Sequence, residues 1–438
     1  MQTKTWKIGT FTIHDHTMEL PWDHNNPSGP LGNLKVFARQ IIPKGGENFP
    51  HLVFFQGGPG GACPKPINPN SGWLGRLLKE YRVVLLEQRG VGRSTRMDAH
   101  TITDLGDTQT QLQYAKLLRA DQIVADAEAF RQEITGGKPW AAFGQSYGGF
   151  CITAYLSHYP EALNRVLYTG GTPALDMSAD ELYKITYGKV AKRHREYYKR
   201  FPEDEITIRE ICDHLENTEE TLPTGERLTS RRLRMLGINL GRDGGYEALH
   251  YIFEAPFVMR GGKRRLDNGF IETIAPQLSY GSGPLYGLMH ETIYAGATPA
   301  LEGQPTNWAA HRMRAQVEGF AEDANPLDKN SPYYLTGEHI YPWQFQEDPA
   351  LAPLEELANL LAKETDWPVL YRPEVLRGID IPGAAAIYYD DIFVPLEPSL
   401  ETAKTIGLEP YITNVYQHSG IGVDGDAILS KLLELSER

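Results

Sequence analysis

A serine, an acid and a histidine, in that order along a chain, can together attack a carbonyl. Ser146 sits in Gly144-Gln145-Ser146-Tyr147-Gly148, a G-x-S-x-G pattern within AAFGQSYGGF. A serine hydroxyl is a weak nucleophile. It needs a base to take its proton, and the base needs a third group to orient it. Asp390 and Asp391 follow the apolar run AAAIYY, and His418 follows YITNVY in the turn-like QHSG. Acyl transfer also needs backbone N–H donors for the oxyanion. The glycine-rich FFQGGPGG is one source near Gly58, and the N–H of Tyr147 is the other. Singly, each feature is ordinary: glycines often follow buried strands, the chain has 13 histidines, and an Asp pair can simply cap a helix. Their joint occurrence, in order and each at the end of an extended run, points to a serine hydrolase.

These residues need a scaffold that brings strand ends together. FTIHDHTMEL and NLKVFARQII read as strands joined by the turn-rich PWDHNNPSGPLG. HLVFF, RVVLLEQ, WAAF and NRVLYTGG read as buried strands. Between them, Asp121 is the expected N-cap of a helix over QIVADAEAFRQEI, and YGGFCITAYLSHYP reads as a helix stopped by Pro160. A strand before Ser146 and a helix after it is the setting of a nucleophile elbow, whose sharp turn needs small neighbours such as Gly144 and Gly148. The alternation of strand and helix predicts a parallel sheet covered on both faces. From Thr172 the texture turns charged, helical and Tyr-rich. Near Gly378 it reverts, with GAAAIYYDD and EPYITNVYQ as strands and DAILSKLLELSER as an amphipathic helix with Ile428, Leu432 and Leu435 on one side. The expected organisation is therefore a core of 1–171 and 379–438, interrupted by a mainly helical insertion of 172–378.

Bulk properties narrow the function. The chain has 438 residues, 41% hydrophobic and 23% charged, as in a globular protein. Lys+Arg of 43 against Asp+Glu of 56 gives a formal charge of −13, which argues against nucleic-acid binding. The three cysteines, Cys63, Cys151 and Cys212, match no zinc spacing and no disulfide framework, so a reducing, cytoplasmic setting is expected. Cys63 lies close after the glycine loop and receives no role. The N-terminus lacks a signal-peptide core, and no run is long enough to span a membrane. Neither a cofactor nor a metal is expected, and the oligomeric state is left open.

Three blocks carry a resemblance. QGGPGG, EQRGVGRS and GQSYGG resemble the HGGPG, DQRGxGxS and GxSxGG blocks of prolyl aminopeptidases (proline iminopeptidases), serine peptidases of the α/β-hydrolase fold. YYDDIFVP and NVYQHSG are similar to that family's acid and histidine blocks. The resemblance runs from about residue 52 to 170 and from about 384 onward, and the insertion's length suggests the larger-capped branch. Gln56 stands where the family has His, and Glu87 where it has Asp; neither is a catalytic position. The resemblance implies Ser146 as nucleophile, His418 as base and Asp391 as its orienting acid, because the family has a proline four residues after its acid and Pro395 fits. Asp390 stays open as the alternative. It implies Gly58 and Tyr147 as oxyanion donors, and small peptides with an N-terminal proline as substrates.

Recognition of a terminal prolyl ammonium calls for an apolar slot with carboxylates at its closed end. By similarity to the family's cap glutamates, Glu291, near Tyr286 and Tyr294, and Glu338, near Tyr333, Tyr341 and Trp343, are the expected ammonium binders, with Glu254 in reserve. The alternatives are a broader aminopeptidase, an esterase, or a catalytically inactive α/β-hydrolase that binds a ligand.

Overall fold

The apolar runs of the sequence become the inner strands of one sheet. The computed structural model describes residues 1–437, so Arg438, the end of the expected C-terminal helix, lies outside the described residues. The strands are β1 (Gln2–Ile8), β2 (Phe11–Pro21), β3 (Asn33–Ile42), β4 (His51–Phe55), β5 (Arg82–Glu87), β6 (Trp140–Gln145), β7 (Leu163–Thr169), β8 (Phe257–Arg260), β9 (Lys263–Leu266), β10 (Gly383–Tyr388) and β11 (Glu409–Thr413). Nine of them form a sheet of order β1-β2-β3-β5-β4-β6-β7-β10-β11. The pairs from β5 through β11 are parallel; β1, β2 and β3 add an antiparallel edge.

Alternation along each strand feeds two cores. Val53, Phe55, Val84, Leu86 and Ala142 point to one face. Leu52, Phe54, Val83, Leu85 and Phe143 point to the other. Both faces are dry, which is why these strands read as unbroken apolar runs. The C-terminal helix Gly425–Leu435 covers the second face, burying Ile428, Leu432 and Leu435 as its periodicity predicts.

Three local expectations need correction. Asp121 is not an N-cap: the helix spans Ala120–Thr135 with Arg119 at the cap position, and Asp121 lies in its first turn, where its charge complements the positive end of the helix dipole. β1 lies before the first expected strand. Its side chains are mostly exposed, so it lacks the buried alternation that marks a strand; it pairs with β2, and Trp6 and Ile8 pack against the second core. The insertion also contains a hairpin, β8–β9, whose exposed basic residues carry no apolar pattern.

Between β7 and β10 the chain is mainly helical, with Ala179–Arg200, Pro202–Asn217, Gly245–Phe253, Asn268–Leu278 and Glu355–Lys363 as its longer helices. Ser178 starts the first of these with a reciprocal capping box to Glu181. The apolar side chains of this region are continuous with the sheet face that bears Val53 and Phe55. Several of its tyrosines are structural: Tyr187 Oη donates to the Ala310 carbonyl at 2.8 Å and Tyr198 Oη to that of Tyr333 at 3.0 Å. Arg234 is fully buried and donates to the carbonyls of Tyr334, Ala321 and Gly319, which offsets the cost of enclosing a guanidinium. Among the described residues no helix is long and apolar enough to cross a membrane.

Candidate active site

β6 ends at Gln145 and the helix Tyr147–His158 begins one residue after Ser146. Ser146 has φ 54° and ψ −126°, a conformation that costs a non-glycine residue about 1–3 kcal/mol. The surroundings hold it there. Its N–H donates to the Thr169 carbonyl at 2.9 Å, and its carbonyl accepts from the Gly149 N–H at 2.8 Å. The flanking glycines are required by space: a Cβ on Gly148 would lie 2.0 Å from the Phe55 carbonyl oxygen, and one on Gly144 would lie 2.5 Å from the backbone of Gly148.

The histidine and acid arrive from beyond β11 and β10. His418 Nε2 lies 2.9 Å from Ser146 Oγ, and His418 Nδ1 lies 2.8 Å from Asp391 Oδ2. An ionised carboxylate only accepts, so Nδ1 carries the hydrogen and Nε2 is free to accept from the serine hydroxyl. Asp391 is fully buried. Its other oxygen accepts from the N–H groups of Phe393 and Val394 at 2.8 and 3.1 Å, which fixes the carboxylate plane. Asp390 turns the other way and pairs with Lys192 at 2.6 Å. Burial, the largest influence on His418, pulls its pKa down. The charge and hydrogen bond of Asp391, helped by the charge of Glu338, outweigh burial and hold the pKa above the usual histidine value.

The glycine loop runs alongside. A Cβ on Gly57 would sit 2.9 Å from Ser146 Cβ, so this backbone touches Ser146. Gly58 lines the same cavity as Ser146. Tyr147 is the first residue of its helix, so its N–H has no partner within the helix. Its side chain is buried, and burial raises the phenol pKa well above its ordinary value. The two departures from the family blocks are structural. Gln56 Nε2 donates to the Ala62 carbonyl at 3.3 Å and ties the loop back on itself. Glu87 is buried and accepts from the Cys63 N–H; burial raises its pKa. Arg89 of the same block pairs with Asp126 at 2.7 Å in the interior.

Ser146 and His418 open into a cavity of about 390 Å³ between sheet and insertion. Met235, Ile238, Tyr280, Tyr286, Ile340 and Phe393 supply apolar wall, and Glu338 supplies a carboxylate. Glu338 also pairs with the buried His290. Glu291 is not on this wall. It is almost wholly buried, and its Oε2 accepts from the Ala310 N–H at 3.3 Å, at the start of the helix Ala309–Arg314. Burial raises its pKa, only partly countered by hydrogen bonds from Thr306, Ala309 and Ala310. Glu254 is exposed at the end of the helix Gly245–Phe253 and is also not on the wall. Of the residues expected around Glu338, Tyr333, Tyr341 and Trp343 pack into the interior instead, Trp343 stacking on Tyr341 at 5.6 Å. Tyr280, Ile340 and Arg242 line the cavity without having been anticipated; each lies in a stretch with no pattern to set it apart. Cys63 is buried, its Sγ donating to the Leu86 carbonyl at 2.9 Å.

Residues 50–227 match the family model described as the alpha/beta hydrolase fold. The chain is 37% identical over 424 residues to a proline iminopeptidase of Aeromonas sobria, covering 96% of each chain. It is 29% identical over 438 residues to a proline iminopeptidase of Aspergillus aculeatus, covering 96% of this chain and 92% of that one. A proline iminopeptidase of Xanthomonas citri shares 32% identity over 142 residues, 32% of this chain and 39% of that one. With a relative matched from end to end at this identity and a sheet of this order, the chain belongs to the proline iminopeptidase family of α/β hydrolases.

Proposed function

We propose that the protein is a serine aminopeptidase that releases N-terminal proline from small peptides. The observation that carries this reading is the cavity itself: Ser146, His418 and the carboxylate of Glu338 share one largely apolar enclosure in a chain of this family. Ser146 Oγ attacks the prolyl carbonyl as His418 Nε2 takes its proton, and Asp391 stabilises the imidazolium so formed. The Tyr147 and Gly58 N–H groups receive the oxyanion. Collapse of the tetrahedral adduct expels the leaving amine, which takes the proton from His418. A water then repeats the sequence on the acyl-enzyme and frees proline. No metal or cofactor enters these steps.

Glu338 receives the prolyl ammonium, while the apolar wall takes the pyrrolidine ring. A peptide bound at an internal residue brings no ammonium to offset the desolvation of a carboxylate whose partner is then His290 alone, which confines cleavage to the N-terminus. Glu291 is assigned no direct contact, its carboxylate being engaged at a helix start. A cytoplasmic setting fits this reading, since Cys63, Cys151 and Cys212 are all buried free thiols.

The test compares prolyl-naphthylamide with its N-acetylprolyl counterpart. Rapid turnover of the free amine and negligible turnover of the acetylated form are expected. Equal rates would remove the ammonium anchor, and failure of a fluorophosphonate to label Ser146 would remove the serine mechanism.

A further inference from the structure

The segment Gly241–Asp243 is fastened to the loop that carries the catalytic histidine. The His418 N–H donates to the Gly241 carbonyl at 3.2 Å. The Asp243 carboxylate accepts from the Gln417 N–H at 2.9 Å and from Ser419 Oγ at 2.8 Å. Gly241 lies against Phe393, close enough that a Cβ would fall 2.4 Å from the ring. Arg242 stands between these anchors, and its side chain lines the cavity of Ser146 and His418.

An exposed arginine is ordinary, but this one has an unusual position and no anionic partner. Its guanidinium makes a single long contact, Nη1 to Asn239 Oδ1 at 3.4 Å, and it forms no ion pair among the described residues. The neighbouring Asp243 is already committed to the histidine loop. Glu338 and Arg242 are the acidic and basic groups on the cavity wall apart from histidines. His418 feels both, Glu338 raising its proton affinity and Arg242 lowering it.

This polarity matches a substrate with a charge at each end. His418 hands its proton to the leaving amine, so the part of the substrate beyond the scissile bond departs on the histidine side, where Arg242 is anchored. In a dipeptide or tripeptide the α-carboxylate lies within about 3.5–7 Å of extended chain past that bond. In a longer peptide it is carried away from the cavity. We propose that Arg242 binds the free α-carboxylate of short substrates, so that the site prefers dipeptides and tripeptides with both termini free. This rests on the aminopeptidase reading above.

The experiment measures kcat/KM for Pro-Gly and for Pro-Gly-amide with the wild-type protein, Arg242→Gln and Arg242→Lys. The quantity read is the acid-to-amide ratio in each protein, which cancels any general loss of activity, and comparing that ratio between proteins cancels the differing basicity of the two leaving amines. An exposed pair of this kind predicts a ratio about threefold to fivefold higher in the wild type than in Arg242→Gln, with Arg242→Lys in between. The difference resides in KM, because the contact is made equally in ground and transition states. It shrinks as salt is raised. Equal ratios in wild type and Arg242→Gln would overturn the proposal, as would a difference insensitive to salt. If instead prolyl-naphthylamide is not hydrolysed at all, the aminopeptidase reading fails, and that result is separate from the ratio.

Discussion

Replacing Asp391 by Asn tests the acid assignment with almost no change in shape. The carboxylate accepts three hydrogen bonds: from His418 at 2.8 Å, Phe393 at 2.8 Å and Val394 at 3.1 Å. An amide offers one accepting oxygen and one donating NH2. If the oxygen keeps the two backbone N–H groups, the NH2 faces His418 and forces the imidazole to carry its hydrogen on Nε2, where it can no longer accept from Ser146. If the amide flips, two buried backbone donors face a donor. Two charge-assisted contacts at about 1.5–3 kcal/mol each give about 3–6 kcal/mol. Loss of the correct tautomer in such a triad lowers kcat by about 10⁴-fold, or about 5.5 kcal/mol, which falls in the same range. The assay is kcat for prolyl-naphthylamide across pH, with a thermal melt to confirm folding. The base must be neutral, so activity rises with pH through the His418 pKa. Asp391 holds that pKa above the ordinary value, and the residual activity of Asp391→Asn rises at lower pH. Asp390→Asn is the control. It breaks only a pair with Lys192 whose side chains are 25% and 47% exposed, and it leaves kcat within about twofold. The reasoning is refuted if Asp391→Asn keeps a tenth of the activity, or if Asp390→Asn is the crippled variant.

Three further outcomes are expected. Glu338→Gln lowers kcat/KM for prolyl-naphthylamide by about 10- to 100-fold through loss of a charge-assisted contact, and leaves the slow turnover of the N-acetyl substrate unchanged; equal loss on both substrates would count against ammonium binding. Gly148→Ala forces a Cβ to within 2.0 Å of the Phe55 carbonyl, so fluorophosphonate labelling of Ser146 slows sharply and the melting temperature falls; labelling at the wild-type rate would show that the elbow tolerates separation from β4. Glu220→Gln destabilises the fold at pH 7 by about 3 kcal/mol. Burial, the largest influence, raises the Glu220 pKa, but Arg265, His214 and the Leu266 N–H together bring it from 4.5 to about 2. Its stabilisation is therefore complete above pH 4.5 and lost as pH falls through 2, so urea melts of the two proteins converge in strong acid and diverge at neutrality.

The sheet was legible because its strands are buried on both faces and stand out as apolar runs, and the elbow because Gly144, Ser146 and Gly148 meet a steric demand that few other residues satisfy. Chain order and strand ends pointed to Ser146, His418 and the pair Asp390 and Asp391, and the preference for Asp391 came from the family resemblance through Pro395. The choice between Asp390 and Asp391 lay beyond local pattern, since both lie past the end of β10 and Lys192, from a distant helix, takes one of them. Glu291 and Glu338 illustrate the same limit. Each sits among tyrosines, but one turns toward a helix start and the other toward the cavity, and only the packing of the insertion decides which. Arg242 carries no sequence signal at all, and its position is set by the hydrogen bonds that its neighbours Gly241 and Asp243 make with residues 417–419.

The long insertion between β7 and β10 also has a consequence in time. Ser146 and His418 are separated by 272 positions in the chain. At about 5–20 residues per second, a ribosome makes Ser146 roughly 14–54 s before it makes His418. During that interval the growing polypeptide carries a serine that nothing can deprotonate, beside a β7 edge still waiting for β10. The proposed triad is thus incomplete until β10 and β11 dock, a delay written into the order of synthesis.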